Sequence, residues 1–236
     1  MDPFLRVSGV EKAYGGLRPF RLRDLSVARG EVVTMTGPDS SQASVLVDLL
    51  TGTTLPDAGD VWVNGRNTRA IDTQEAWLAF LDQFGLVSER VVLLQELTAA
   101  QNLAIPLTLG VDPMPPGVRR RVEALAAEVG LAAEILDAPV AGVSADTRAR
   151  IRLGRAVALD PALLLLEHPT AGLERPEVPR LARDLRRIAS ARTIAALAVT
   201  ADESFAGAAA TRRLIWRAAS GDLSGGAGLL DWLRGR

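Results

Sequence analysis

Glu31-Val32-Val33-Thr34-Met35-Thr36-Gly37-Pro38-Asp39-Ser40-Ser41-Gln42-Ala43-Ser44-Val45-Leu46-Val47-Asp48-Leu49-Leu50 changes its pattern twice along its length. The β-branched run 31–36 predicts a short strand, and Gly37-Pro38 a tight turn. Val45 to Leu50, after a polar stretch, predict a helix that Gly52 stops.

The chain on either side is built the same way. Phe4-Leu5-Arg6-Val7 and Phe20 to Val27 alternate as half-exposed strands. Asp57 to Gly65 read as turn, strand and turn. Pro113-Met114-Pro115-Pro116-Gly117 is a strong break, and the helix after it places Val118, Val122, Leu125, Ala126 and Val129 at helical spacing. The stretch from about 90 to 158 is mostly helical. Leu163-Leu164-Leu165-Leu166 is an uninterrupted apolar strand, as expected in a parallel sheet covered on both faces. The next helix buries Val178, Leu181, Leu185 and Ile188. Arg180, Arg183 and Arg187 on its other side read as a solvated face, or alternatively as a phosphate or lipid patch. Thr193–Val199 and Arg212–Trp216 predict two further strands.

Composition removes several function classes. The 236 residues are 48% hydrophobic and 23% charged, an ordinary globular balance, with 27 basic against 28 acidic residues. A net charge of −1 argues against a dedicated nucleic-acid binder. The absence of cysteine excludes disulfides, thiolate metal sites and cysteine nucleophiles. His168 is the only histidine and Lys12 the only lysine, so all other basic residues are arginine. No apolar run approaches the ~18 residues of a membrane-spanning helix, and Met1 to Val10 lack the pattern of a signal peptide. The expectation is a cytosolic chain that meets the inner face of a membrane only through a partner.

The whole order resembles the nucleotide-binding domain of an ATP-binding cassette (ABC) transporter. Tyr14 falls at the family's adenine-stacking aromatic, and Gly37-Pro38 opens its phosphate loop. Leu55 to Val61 with Asn64-Gly65 resemble the turn after the first helix. Leu97-Thr98 and Gln101-Asn102 resemble the stretch beside the glutamine loop, in the style of lipoprotein-releasing and macrolide-exporter types. Ser144 with Arg150, Arg155 and Ala156 matches the signature helix, and Pro161 to Leu173 the Walker B strand and D-loop. The resemblance implies an α/β fold, a P-loop NTPase-like ABC cassette with a mixed core sheet, an antiparallel β edge and a helical subdomain. It makes 1–236 a single domain, with 1–89 and 159–236 as the α/β core and 90–158 as the helical subdomain. It also implies ATP with Mg2+ as cofactor. Tyr14, Gly37, Ser40, Ser41, Ser44, Glu89 and Ser144 would surround the nucleotide, Ser44 and Glu167 the metal, and Glu167 with His168 would stand at the catalytic positions.

The same comparison finds the chemistry depleted. The family's glycine-lysine pair is Gln42-Ala43, and its magnesium-sensing glutamine is Glu89. The signature glycines are Ala145 and Asp146. The Walker B aspartate is Glu167, the catalytic glutamate position holds His168, and the switch histidine position holds Ala201. Losing the lysine removes a charge-assisted bond of roughly 1.5–3 kcal/mol. A side chain forced into a left-handed loop would cost roughly 1–2 more. A micromolar site, worth about 8 kcal/mol, would thereby fall to about millimolar. Asp39 would add repulsion against phosphate, and Asp146 would oppose a γ-phosphate held by a partner.

Each residue also has a plainer reading. One of Asp39, Ser40 and Ser41 caps a helix, Ser44 is a first-turn hydroxyl, and His168 caps or packs at a strand end rather than acting as a base. The expected function is an ABC transport subunit, structural or regulatory and without hydrolysis. Its partners would be the membrane subunits and a second ABC-type subunit, as a homo- or heterodimer. The stretch Glu89 to Leu107 would face the transporter, its alternative being an ordinary loop and amphipathic helix. Two other functions remain open: an active ATPase with a rearranged site using Ser44, Glu167, His168 and a recruited arginine, and an interaction module unrelated to transport.

Overall fold

In the computed structural model, residues 3–16 and 18–225 are described, so the last stretch of the expected 1–236 unit, 226–236, lies outside them. The strands are β1 Leu5–Lys12, β2 Phe20–Val27, β3 Val32–Thr36, β4 Ala58–Val63, β5 Arg66–Asn67, β6 Phe84–Val87, β7 Leu163–Glu167, β8 Ala195–Val199, β9 Arg212–Arg217 and β10 Asp222–Gly225. The helices are α1 Ser40–Leu50, α2 Gln74–Leu81, α3 Ala99–Ala104, α4 Pro116–Glu128, α5 Ala145–Val157, α6 Val178–Arg192 and α7 Glu203–Ala209.

Six strands form the main sheet in the order β10-β9-β3-β8-β7-β6. Its pairings are parallel except that of β10 with β9. A second sheet, β2-β1-β4-β5, is antiparallel. Strand alternation divides the core in two. Val33, Met35, Leu163, Leu165 and Leu197 point toward α1 and the antiparallel sheet. Val32, Leu164, Leu166, Ala196 and Ala198 point toward α5, α6 and the helical stretch. β3, β7 and β8 are buried along their whole length, which is why Leu163–Leu166 carries no polar alternation. Each fully buried leucine contributes roughly 1.5–3 kcal/mol, so these strands fix the scaffold on which the loops at their C-terminal ends rest.

The helical stretch is three separate helices, α3 to α5, with single 3-10 turns at Ala133–Ile135 and Val140–Gly142. Sequence periodicity leaves residues 66–89 unassigned, yet they hold β5, α2 and β6. These elements are short, and α2 buries only Phe80. β8 starts at Ala195 rather than Thr193, because Thr193 ends α6 in the left-handed region with φ 55°. Arg180, Arg183 and Arg187 are exposed on α6, as a solvated face requires. Among the described residues, no helix is long and apolar enough to cross a membrane.

Candidate functional site

Arg90, in the loop after β6, joins Glu167 at the end of β7 to Asp48 of α1, while the turn after β3 and the start of α1 bond within themselves. Gly37 leaves β3 with φ +117°, and a Cβ there would meet the Trp216 carbonyl at 2.5 Å, so the turn demands glycine. The helix then begins at Ser40, before the polar stretch ends. Asp39 is its N-cap. The Asp39 carboxylate accepts from the Gln42 N–H at 2.8 Å, and the Gln42 side-chain oxygen accepts from the Asp39 N–H at 2.9 Å. This reciprocal capping box puts a tethered carboxylate where the helix N-terminus would otherwise favour an external anion.

No residue from Asp39 to Ser44 has positive φ, so the expected left-handed strain is not incurred. Residues 40–44 form the first turn of the capped helix instead. Ser40 and Ser41 are exposed in the first turn, while Ala43, at the family's lysine position, is fully buried. The Gln42 amide also donates to the Tyr14 hydroxyl at 3.4 Å. Tyr14 thus stands beside the helix start, on a cavity of about 420 Å³ also lined by Arg18, Asp39, Ser41 and Trp216. Lys12 is committed elsewhere, to Asp57 at 2.9 Å. The Ala13 N–H and then Lys12 hold that carboxyl below its ordinary value.

At the end of β7, Glu167 is 7% exposed. Arg90 engages both of its carboxylate oxygens, donating from Nε at 3.1 Å and from Nη2, and Ser88 donates its hydroxyl to one of them. The other arm of Arg90 reaches Asp48 of α1 at 3.0 Å. Burial works against the Arg90 charge, but the bonds from Glu167 and Asp48 outweigh it and raise its pKa. A magnesium site at Glu167 needs free carboxylate lone pairs and a second donor. Here a guanidinium holds those lone pairs, no hydrogen bond joins Glu167 to Ser44, and no cluster of three or more acidic or histidine ligands exists among the described residues. The donor set does not fit the metal.

Glu89, the counterpart of the sensing glutamine, is exposed, and its neighbours Ser88 and Arg90 meet Glu167 in its place. Sequence reasoning missed both, and the only signal was an arginine one position after the expected glutamine. His168 takes φ 42° and is fixed by its backbone: its N–H donates to Val199 O at 2.8 Å and its C=O accepts from the Ala171 N–H at 3.0 Å. Its Nε2 is buried without a hydrogen-bond partner among the described residues.

Ser144 caps α5, accepting from the Thr147 N–H at 3.2 Å. Asp146 does not stand as a free charge on this helix. Arg150, itself 6% exposed, binds Asp146 at 2.7 Å, Asp184 of α6 at 2.7 Å and the Val129 carbonyl at 2.6 Å. Beyond β8, Asp202 caps α7 and stands next to Ala201 of the switch position.

Three comparisons bear on this arrangement. Residues 21–171 match the family model described as ABC transporter. The chain is 31% identical over 192 residues to the ribose import ATP-binding protein RbsA 2 of Burkholderia cenocepacia (strain HI2424), covering 80% of this chain and 37% of that protein. It is 31% identical over 202 residues to the sulfate/thiosulfate import ATP-binding protein CysA of Caulobacter vibrioides, with 84% and 58% covered. It therefore spans only part of the length of the curated relatives it matches. Among solved structures, the dimeric bacterial ABC transporter cassette MJ0796 superposes with a TM-score of 0.77 at 21% identity, over 95% of this chain and 100% of that one. The cassette CbiO1 of Clostridium perfringens gives 0.76 at 19%, over 91% and 85%. A sheet with its phosphate-loop turn, a signature helix and a Walker B strand in family order, together with a family model spanning most of these elements, make the chain a member of the ABC transporter family with the fold of an ABC cassette.

Proposed function

We propose that this chain is an ATP-binding-type subunit of an ABC transport system whose nucleotide site has been closed by its own side chains, and that it serves as a structural or regulatory partner without hydrolysing ATP. The carrying observation is the Arg90–Glu167 pair, a tethered cation on the carboxylate that would otherwise help hold the metal. Hydrolysis needs metal-held phosphates and an oriented water together, and neither has free ligands here. The Asp39 capping box supports the same reading, because phosphate must displace a bonded carboxylate to reach the helix N-terminus.

In this reading the chain works as one domain, with 90–158 as its helical subdomain. Its partners are membrane subunits and a second ABC-type subunit at the inner face of a membrane. The relatives carry import names, while the Leu97–Asn102 stretch favours a lipid- or lipoprotein-related system.

Calorimetric titration of ATP and ADP with magnesium, carried to millimolar ligand with Tyr14→Ala as control, tests the proposal. The expected result is no saturable binding at micromolar ligand and no turnover. Binding tighter than about 10 µM that is lost in Tyr14→Ala, or magnesium-dependent turnover abolished by His168→Ala, overturns it and establishes the rearranged ATPase.

A further inference from the structure

The antiparallel sheet buries one face and leaves the other to solvent. Leu5, Val7, Leu25, Val27, Val61 and Val63 fill the inner face, each no more than 2% exposed, so strand alternation turns the residues between them outward. The register sets those outward residues in rows. Ser26, Arg6, Trp62 and Asn67 lie side by side across β2, β1, β4 and β5. Asp24, Ser8 and Asp60 form the next row, and Arg21 faces Glu11 beyond a register shift in β1. From Arg6 to Glu11 this face runs about 15 Å along β1.

Trp62 stands within the first row at 40% exposure, and no aromatic or arginine stacks on its ring among the described residues. The polar frame beside it is already fixed. Asn67 donates its amide to Asp60 Oδ1 at 2.8 Å and accepts from the Arg69 N–H at 2.9 Å, while Asp60 Oδ2 accepts no hydrogen bond among the described residues. Glu11 and Arg21, paired at 3.1 Å, also line a cavity of about 400 Å³ with Gly9, Arg23 and Ser220. Charge decides what such a face can hold. Arg6 and Arg21 stand against Glu11, Asp24 and Asp60, so the rows have no basic excess with which to grip a phosphate backbone. They hold one large apolar side chain, too little for the apolar centre of a protein interface. What fits is an uncharged molecule with an apolar face and hydroxyls around its rim. The C–H groups of a pyranose ring lie favourably against the negative face of an indole. Its hydroxyls, each donor and acceptor, match carboxylate, amide and guanidinium groups.

We propose that the outer face of the antiparallel sheet binds a neutral oligosaccharide, with one ring stacked on Trp62, its hydroxyls bonded to Asp60, Ser8 and Arg6, and the sugar chain running toward the cavity at Glu11 and Arg21. The fixed Asn67–Asp60 pair presents its free acceptor without further ordering, which lowers the entropy lost on binding. This face shares no residue with the site at Asp39, Arg90 and Glu167, so it stands whether or not that site accepts nucleotide.

The probes are cellotetraose and maltotetraose, titrated into isotope-labelled full chain while its amide and indole N–H resonances are followed by NMR. The Trp62 indole is identified as the resonance missing in Trp62→Phe. At least one of the two sugars is expected to shift the Trp62 indole and the amides of residues 6–8 and 60–62 saturably, with a Kd of about 1 mM. Trp62→Ala should weaken that binding at least about tenfold, Trp62→Phe should retain most of it, and Asp60→Asn should weaken it several-fold. Urea unfolding of the same variants checks that each is folded, and Trp62→Phe keeps an aromatic platform should Trp62→Ala be unstable. No shift of these resonances by either sugar at about 20 mM overturns the proposal. So does undiminished binding by Trp62→Ala, or shifts confined to another face. An oligothymidylate that moves the same resonances at lower concentration than the sugars also overturns it, by making nucleic acid the ligand.

Discussion

Replacing Arg90 with alanine removes the cation from Glu167 and Asp48 while leaving the main-chain path of the loop intact. Two charge-assisted bonds to Glu167 and one to Asp48 are lost, and each such bond contributes roughly 1.5–3 kcal/mol when well buried. Glu167 is 7% exposed but the Arg90 side chain is 43% exposed, so water screens much of the pair. Glu167 also keeps its bond from Ser88. The net expectation is a loss of about 2 kcal/mol, which at a urea slope of about 2 kcal/mol/M moves the unfolding midpoint down by about 1 M. A second consequence separates this account from mere loss of packing. With the guanidinium gone, the carboxylates of Glu167 and Asp48 are free to bind a divalent cation, so magnesium should raise the midpoint of Arg90→Ala and leave wild type unchanged. The assay is urea unfolding followed by circular dichroism, with and without magnesium, for wild type, Arg90→Ala, Glu167→Gln and the double variant. A loss below about 0.5 kcal/mol, or equal magnesium stabilisation of wild type and variant, would refute the reasoning.

Three further outcomes follow from the same geometry. Arg150→Ala should cost about 3–5 kcal/mol in chemical denaturation, since it leaves Asp146 and Asp184 facing each other without their shared cation. Gly37→Ala should lower stability by about 1–3 kcal/mol, because a Cβ at φ +117° strikes the Trp216 carbonyl; a variant as stable as wild type would show that the turn can move. Glu31 is bonded to Arg212 at 2.7 Å. Burial alone would raise its pKa, but the bonds from Arg212 and the Ala28 N–H lower it on balance below the ordinary 4.5. A lowered folded-state value means stability present above pH 4.5 and lost as pH falls through the folded pKa. Glu31→Gln should therefore cost about 1 kcal/mol at pH 7, and its unfolding midpoint should converge on wild type in acid.

Which parts of the molecule were legible in the sequence follows from where each signal comes from. Leu163–Leu166 and Val178 to Ile188 announce themselves because burial on a regular element writes a period into the chain. α2 and β6 do not, being a two-turn helix that buries only Phe80 and a four-residue strand. The motif residues Gly37, Ser144 and Glu167 fall after β3, at the N-cap of α5 and at the end of β7. What spacing cannot reveal is which neighbour a side chain chooses. Asp39 and Asp146 both read as charges repelling phosphate, yet one is held by a capping box and the other by Arg150, a residue already quoted but not linked to it. Arg90 reaches 77 residues along the chain to Glu167, a pairing that exists only once β6 and β7 lie side by side.

The replacements at the site are consistent with one another, which bears on whether the chain has decayed or settled. A cassette that had merely lost its lysine would keep an anion-seeking loop and an unpaired Walker B carboxylate, both unfavourable in a closed protein. On the proposed reading, Asp39, bonded to Gln42 at the position of a family glycine, occupies the helix N-terminus where a phosphate would otherwise sit. On the same reading, Arg90, bonded to Glu167 at the position of the family aspartate, stands where a metal would otherwise meet that carboxylate. The extra methylene of glutamate matters in this arrangement, because it lets the carboxylate be engaged at both oxygens by an arginine on the neighbouring loop while Ser88 fills a remaining acceptor. Asp39 and Arg90 are each covalently tethered, so neither loses translational entropy on taking its place and neither can be diluted away. On the proposed reading, stability that a competent cassette would gain from its ligand is thereby built into the fold. Nucleotide should then leave the melting temperature of this chain unchanged, and a rise on adding ATP would show that Asp39 and Arg90 yield to the ligand they replace.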